Sequence, residues 1–121
     1  MIGIDIIKVD RIQAMIERFG QKALLRFLHE SEIKQATSIQ SIAGYWAAKE
    51  AIAKALQTGI GSRLGFKDIT IYKIDGAPYF RLSQEKEQAF GIIQKALSIT
   101  HEKDYAIAVA VVIRSSPTCK S

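Results

Sequence analysis

The sequence predicts an α+β domain, a small antiparallel sheet packed with helices, and three observations carry that reading. β-rich runs stand near both ends, at residues 2–7 and 105–113. Asp75-Gly76, a strong hairpin turn signal, joins two short stretches of strand character. Between these runs the apolar residues recur at three- and four-residue steps, the helical period. Strands grouped by hairpins, rather than alternating strictly with helices, imply an antiparallel sheet. The 121 residues suit one domain, expected over 1–114, with 115–121 as a flexible polar tail.

Residues 2–7, I-G-I-D-I-I, read as a strand with one oddity, Asp5. A carboxylate buried there without a partner would cost several kcal/mol. Asp5 therefore lies at an exposed strand end, caps the next helix, or meets a cation. Val9, Ile12, Met15, Ile16 and Phe19 then mark the inner face of a helix closed by Gly20. Residues 21–28 read as a short helix with Ala23, Leu24 and Phe27 inward. Arg11, Arg18, Lys22 and Arg26 fall on the outer faces of these two helices. They form either a solvated face or a docking patch for something acidic. Ser31 is expected to cap another short helix, and Ser38 or Ser41 the long one that follows.

That long helix contains Y-W-A-A-K-E-A-I-A-K-A-L and stops at Thr58-Gly59, with Gly61 two residues on. Its many alanines allow another backbone or a ligand to come close. Residues 67–74 alternate as a strand, and Pro78 opens a second one through Leu82. Ser83 is expected to cap a helix that continues to about Leu97, with Ala89, Phe90, Ile93 and Leu97 inward and Gly91 as a weak point. Residues 105–113 are apolar almost without break, which implies burial on both faces or at a subunit interface.

Composition narrows the function. Hydrophobic residues make up 48% and charged residues 24%, a globular balance. No apolar run approaches the length of a membrane span, and no signal peptide is evident. The single cysteine, Cys119, fits a reducing cytoplasm. A net charge of +5 points to an anionic partner. Aromatics are only 8% and do not interleave with basic residues, so a single-strand nucleic-acid platform is not supported.

Four polar residues resist a structural explanation: Asp5, Glu50, Lys54 and His101. Glu50 and Lys54, four apart on a helix, could simply be an ion pair. Two carboxylates from different elements also make a hard oxygen site suited to Mg2+, which keeps waters and shares phosphate oxygens. A lysine beside it can neutralise phosphate. Zinc-type Cys/His spacing and a P-loop are absent, and no serine stands in a nucleophile elbow. Gly59 and Gly61 follow a helix instead of opening one, so they give shape to a pocket rather than a phosphate cradle.

The chain resembles the holo-acyl-carrier-protein synthase family of phosphopantetheinyl transferases. The motifs are I-G-I-D-I at 2–6 followed by Arg11-Ile12, R-F-L-H-E-S-E at 26–32, W-A-A-K-E-A-I-A-K-A at 46–55, T-G-I-G at 58–61, G-A-P-Y at 76–79 and S-I-T-H-E-K-D-Y-A at 98–106. The resemblance implies transfer of 4′-phosphopantetheine from coenzyme A to a serine of an acidic acyl carrier protein, in support of fatty acid biosynthesis. It implies Asp5 and Glu50 as Mg2+ ligands, Glu50 or a metal-bound water as the base, and Lys54 on the phosphates. Thr100 and His101 would face the nucleotide of coenzyme A, with Gly59, Gly61 and Pro78 shaping that pocket. It implies a homotrimer with sites at subunit interfaces, and a carrier docked on Arg11, Arg18, Lys22 and Arg26. Tyr45 departs from the pattern, standing where many members have an arginine. The competing reading, from the residues alone, is a non-catalytic basic module that binds an acidic protein or nucleic acid.

Overall fold

The computed structural model describes residues 1–115; the expected tail from 116 on, with Pro117 and Cys119, lies outside the described residues. Strand β1 (Ile2–Lys8) leads into α1 (Val9–Phe19), a 3₁₀ segment (Gly20–Arg26), α2 (Glu30–Gln35) and the long α3 (Ile39–Ala55). A second 3₁₀ turn (Phe66–Asp68) opens the hairpin β2 (Ile69–Ile74) and β3 (Ala77–Leu82), followed by α4 (Gln84–Phe90), β4 (Ile92–His101) and β5 (Tyr105–Arg114). The predicted α+β class with antiparallel pairing is what forms. It consists of two sheets, a three-stranded one in the order β1-β5-β4 and the separate two-stranded hairpin. Among the described residues no helix is long and apolar enough to cross a membrane.

Helix α3 lies across the larger sheet, and small residues on both sides set the distance. On β5, Ala106, Ala108, Ala110 and Val112 point to the helix and are fully buried. They meet Ala47, Ala48, Ala51 and Ala55, also fully buried. The closest approach is at Gly3 of β1, where an added Cβ would overlap the carbonyl oxygen of Ala51 and stand 2.5 Å from the nitrogen of Ala55. Interiors pack to crystal density, so no slack remains at this contact. The opposite face of the sheet is apolar and open: Ile2, Ile4 and Ile6 are 71%, 60% and 58% exposed. They stand opposite Val111, Val109 and Ile107 of β5.

Three local expectations are corrected. The helix beginning after Ser83 does not run to Leu97; it stops at Phe90, because Gly91 takes the left-handed conformation (φ 62°) and donates to the carbonyls of Glu87 and Gln88. Residues 92–101 are then a strand paired with β5. Ser31 does not cap α2, which starts one residue earlier with His29 in the N-cap position; there the His29 N–H donates to Glu32 Oε1 at 2.6 Å. Phe19 is not inward but about half exposed. The other turn assignments hold. Ser38 caps α3 through the Ser41 N–H (3.0 Å), and Asp75-Gly76 closes the hairpin with both φ angles positive (50° and 82°), the type I′ pattern.

Candidate active site

Asp5 sits in the middle of β1 and, like Gly3 two residues before it, on the face that meets α3. It does not cap α1, whose N-cap residue is Lys8. Its partner is a cation from α3: Lys54 Nζ donates to Asp5 Oδ1 at 2.9 Å and reaches the carbonyl of Ile4 at 3.4 Å. Lys54 thus bonds across to the strand and not along its helix to Glu50, as four-residue spacing alone would allow. Glu50, one turn earlier on α3, is half-buried and feels three neighbours. Burial and then the negative charge of Asp5 push its carboxyl above the ordinary range, while Lys54 and Arg11 pull it back.

Two carboxylates that repel each other at the mouth of a helix–strand junction form a place that favours a cation. The donors are all oxygen, the preference of Mg2+, and among the described residues no third His, Cys, Asp or Glu joins them. The residues therefore fit a magnesium ion held by Asp5 and Glu50, with remaining positions left to water and phosphate oxygens.

A second concave region lies toward the other end of α3. A cavity of about 80 Å³ is lined by Ser41 and Tyr45 of α3, Lys73, Gly76 and Pro78 of the hairpin, and Ile99 and His101 of β4. Gly44 opens it, since an added Cβ would press to 2.9 Å from Ile99 Cγ2 and come to 3.8 Å from His101 Cδ2. Among the described residues no carboxylate lines this cavity, and Lys73 brings a positive charge to it. Tyr45 does not reach out as an arginine would. It is buried, its hydroxyl donates to Gln35 Oε1 at 2.9 Å, and burial followed by Glu32 raises its pKa.

The structure brings some predicted residues together and separates others. Asp5, Glu50, Lys54 and Arg11 form one cluster. His101 and Pro78 form another, with β5 lying between the strands that carry Asp5 and His101. Thr100 pairs with Ile107 on the open apolar face, and His101, at the end of β4, also borders a concavity there with Thr100, Ile6 and Tyr105. Gly59 and Gly61 stand in the loop after the C-terminal end of α3 and are not among the residues lining the cavity of Pro78 and His101; Gly59 has φ 64° and open space around it. Arg18 and Arg26 both stack over the exposed Phe19 ring, at 5.2 and 5.4 Å from its centroid, and Lys22 is exposed on the 3₁₀ segment between them.

The match with known proteins follows the same residues. A family model described as the 4′-phosphopantetheinyl transferase superfamily matches residues 1–110. The chain belongs to that superfamily. This transferase is 58% identical over 115 residues to a holo-[acyl-carrier-protein] synthase from Nitratiruptor sp., covering 94% of this chain and 99% of the relative. It is 52% identical to a protein of the same name from Sulfurimonas denitrificans, covering 93% of each. Its fold superposes on the Helicobacter pylori holo-[acyl-carrier-protein] synthase in complex with coenzyme A with a TM-score of 0.91 at 49% identity, covering 93% of this chain and all of that one. The synthase from Bacillus anthracis, solved with CoA (3′,5′-ADP), gives a TM-score of 0.77 at 37% identity.

Sequence reasoning missed one ionic group of this transferase. Lys49, beside Glu50, is fully buried and pairs at 2.9 Å with the equally buried Glu32. Burial lowers the Lys49 pKa, against the pull of Glu32. The signal available was a lysine whose helix-face neighbours at three and four residues, Tyr45, Trp46, Ile52 and Ala53, are all apolar or aromatic.

Proposed function

We propose that this transferase moves 4′-phosphopantetheine from coenzyme A to a serine of an acidic apo-acyl carrier protein, in the cytoplasm, in support of fatty acid biosynthesis. The observation that carries the reading is the convergence of Asp5, Glu50, Lys54 and Arg11 at one helix–strand junction. Magnesium bound there would neutralise the pyrophosphate and its developing charge. Lys54, half-exposed and flexible, exchanges its contact with Asp5 for the phosphate oxygens. Glu50 accepts the serine proton directly or through a water. The serine oxygen forms a bond to the β-phosphorus as the bond to the bridging oxygen breaks. The departing group is adenosine 3′,5′-bisphosphate, whose charge Lys54 offsets.

The nucleotide end of coenzyme A goes to the cavity walled by Lys73, Pro78 and His101. The separation of that cavity from the carboxylates, and the open face formed by Ile2, Ile4 and Ile6, both support a trimer whose sites lie between copies. In that assembly, Gly59, Gly61 and Thr100 shape pocket walls that no single chain completes. The acidic carrier docks on Arg18, Lys22 and Arg26 around Phe19, with Arg11 leading toward Glu50.

Mass spectrometry of an apo-carrier incubated with coenzyme A and Mg2+ tests this directly. The expected result is a gain of one phosphopantetheine, abolished by chelation and strongly reduced in Asp5→Ala and Glu50→Ala. Unimpaired transfer by both variants would remove the metal site. No transfer to any carrier would favour a non-catalytic basic module.

A further inference from the structure

Glu32 and Lys49 form a polar network with no spare valence. Lys49 Nζ spends its three protons on the Phe27 carbonyl (2.7 Å), Glu32 Oε1 (2.9 Å) and the Phe66 carbonyl (3.1 Å). Glu32 in turn accepts from the His29 N–H (2.6 Å) and, through Oε2, from the Ile71 N–H (2.7 Å). Both side chains are fully buried. Replacement of such a pair by apolar groups is often neutral or stabilising, so stability alone does not account for its presence.

What the pair does account for is position. Among the described residues the hairpin β2–β3 shares no ladder hydrogen bonds with the larger sheet. Among the described residues, the Ile71-to-Glu32 bond is the one hydrogen bond from β2 to the helical layer. Two residues further along the same face of β2 stands Lys73, which pairs with Pro78, and both line the cavity opposite Tyr45. At the other end of the network, Lys49 is the residue next to Glu50 on α3. The network therefore runs from the cavity wall, through Ile71, Glu32 and Lys49, to the helix that carries Glu50 and Lys54.

We propose that Glu32 and Lys49 are positioning residues for the coenzyme A substrate: their pair sets the gap between the hairpin wall and α3. This rests on the function proposed above. Neither residue touches the reacting atoms. Loosening the pair lets the hairpin drift from α3 and weakens the hold on the nucleotide, while the carrier surface and the carboxylates keep their places.

The test compares wild type, Glu32→Asp and Lys49→Met. Glu32→Asp keeps the charge but is one methylene too short to hold both Lys49 and Ile71, and it guards against a Lys49→Met chain that does not fold. In folded variants, the expected result is a rise of about ten- to a hundredfold in KM for coenzyme A. KM for the carrier stays unchanged, and the Ile71 amide loses hydrogen-exchange protection ahead of the amides of β5. A purely structural pair would instead lower the folded fraction and the melting temperature, with KM for coenzyme A unmoved in the molecules that fold. That outcome in Glu32→Asp overturns the proposal. Wild type that transfers nothing overturns the functional reading itself, a result distinct from the first.

Discussion

Gly3→Ala is the smallest substitution that should damage both stability and chemistry. The added Cβ meets backbone, the Ala51 carbonyl oxygen and the Ala55 nitrogen at 2.5 Å, and no rotamer change can relieve either contact. Restoring the Ala55 contact to near 3.5 Å requires β1 to retreat from α3 by about 1 Å, and the closer Ala51 oxygen requires more. Overpacking of this kind costs about 1–3 kcal/mol, and relief of glycine's entropy in a strand returns about 0.5–1 kcal/mol. With backbone on the receiving side the upper part of the range applies, leaving a net loss of about 2 kcal/mol. For a domain of this size that is a fall of roughly 6–12 °C in melting temperature. Asp5 rides on the same face two residues along, so the shift opens the gap to Glu50, and a 1 Å misplacement costs about a hundredfold in turnover. Circular dichroism melts and the transfer assay read the two effects. Gly61→Ala is the stability control, since nothing lies within 4 Å of its added Cβ. If Gly3→Ala melted with wild type and transferred normally, the closeness of β1 to α3 would not be what places Asp5.

Glu50 should couple stability and activity to pH with opposite signs. Its carboxyl is raised, so between the ordinary carboxylate range and that raised value the native state holds the proton more tightly than the unfolded chain does. Stability therefore falls as pH rises through that window. Glu50→Gln should melt above wild type at neutral pH, with the gap closing in acid, while transfer is lost. Wild-type transfer should decline on acidification as Glu50 takes up a proton, and a profile unchanged by Glu50→Gln would sink the assignment. Ile4→Glu places a charge on the open sheet face and should leave a monomer in analytical ultracentrifugation, with transfer greatly reduced; an intact trimer would exclude that face as the interface. Arg11→Glu should raise KM for the carrier, and added salt should weaken carrier binding in wild type. Equal weakening of coenzyme A would argue against Arg11 as a guide for the carrier.

Much of the fold is written in local signals that nothing overrides. The hairpin and the serine cap of α3 follow from turn chemistry and capping, and the two end strands from their β-rich runs, though not their pairing. Strand β4 did not, because Phe90, Ile93 and Leu97 keep a helical spacing straight through Gly91. Only the left-handed φ of that glycine, with the pairing partner available in β5, decides against the helix. Asp5, Glu50 and Lys54 were legible as unexplained polar residues in apolar or alanine-rich surroundings. Lys54's choice of Asp5 over Glu50 was not, because it depends on the gap set by Gly3. Glu32 and Lys49 were hidden for the same reason: each satisfies the other from 17 residues away, a distance no periodicity reports.

The pairing of β1 with β5 has a consequence for how the molecule comes into being. Ile2 stands opposite Val111, so the strand bearing Asp5 finds its hydrogen-bonding neighbour β5 about a hundred residues later in synthesis. Contacts so distant along the chain form slowly. During translation β1 waits unpaired, its isoleucines exposed, until β5 has left the ribosome. Helix α3 and the hairpin can take shape before that moment, but the junction between Asp5 and Glu50 cannot. A ribosome-stalled chain ending before β5 should accordingly show helical structure and no catalytic competence, however long it is held.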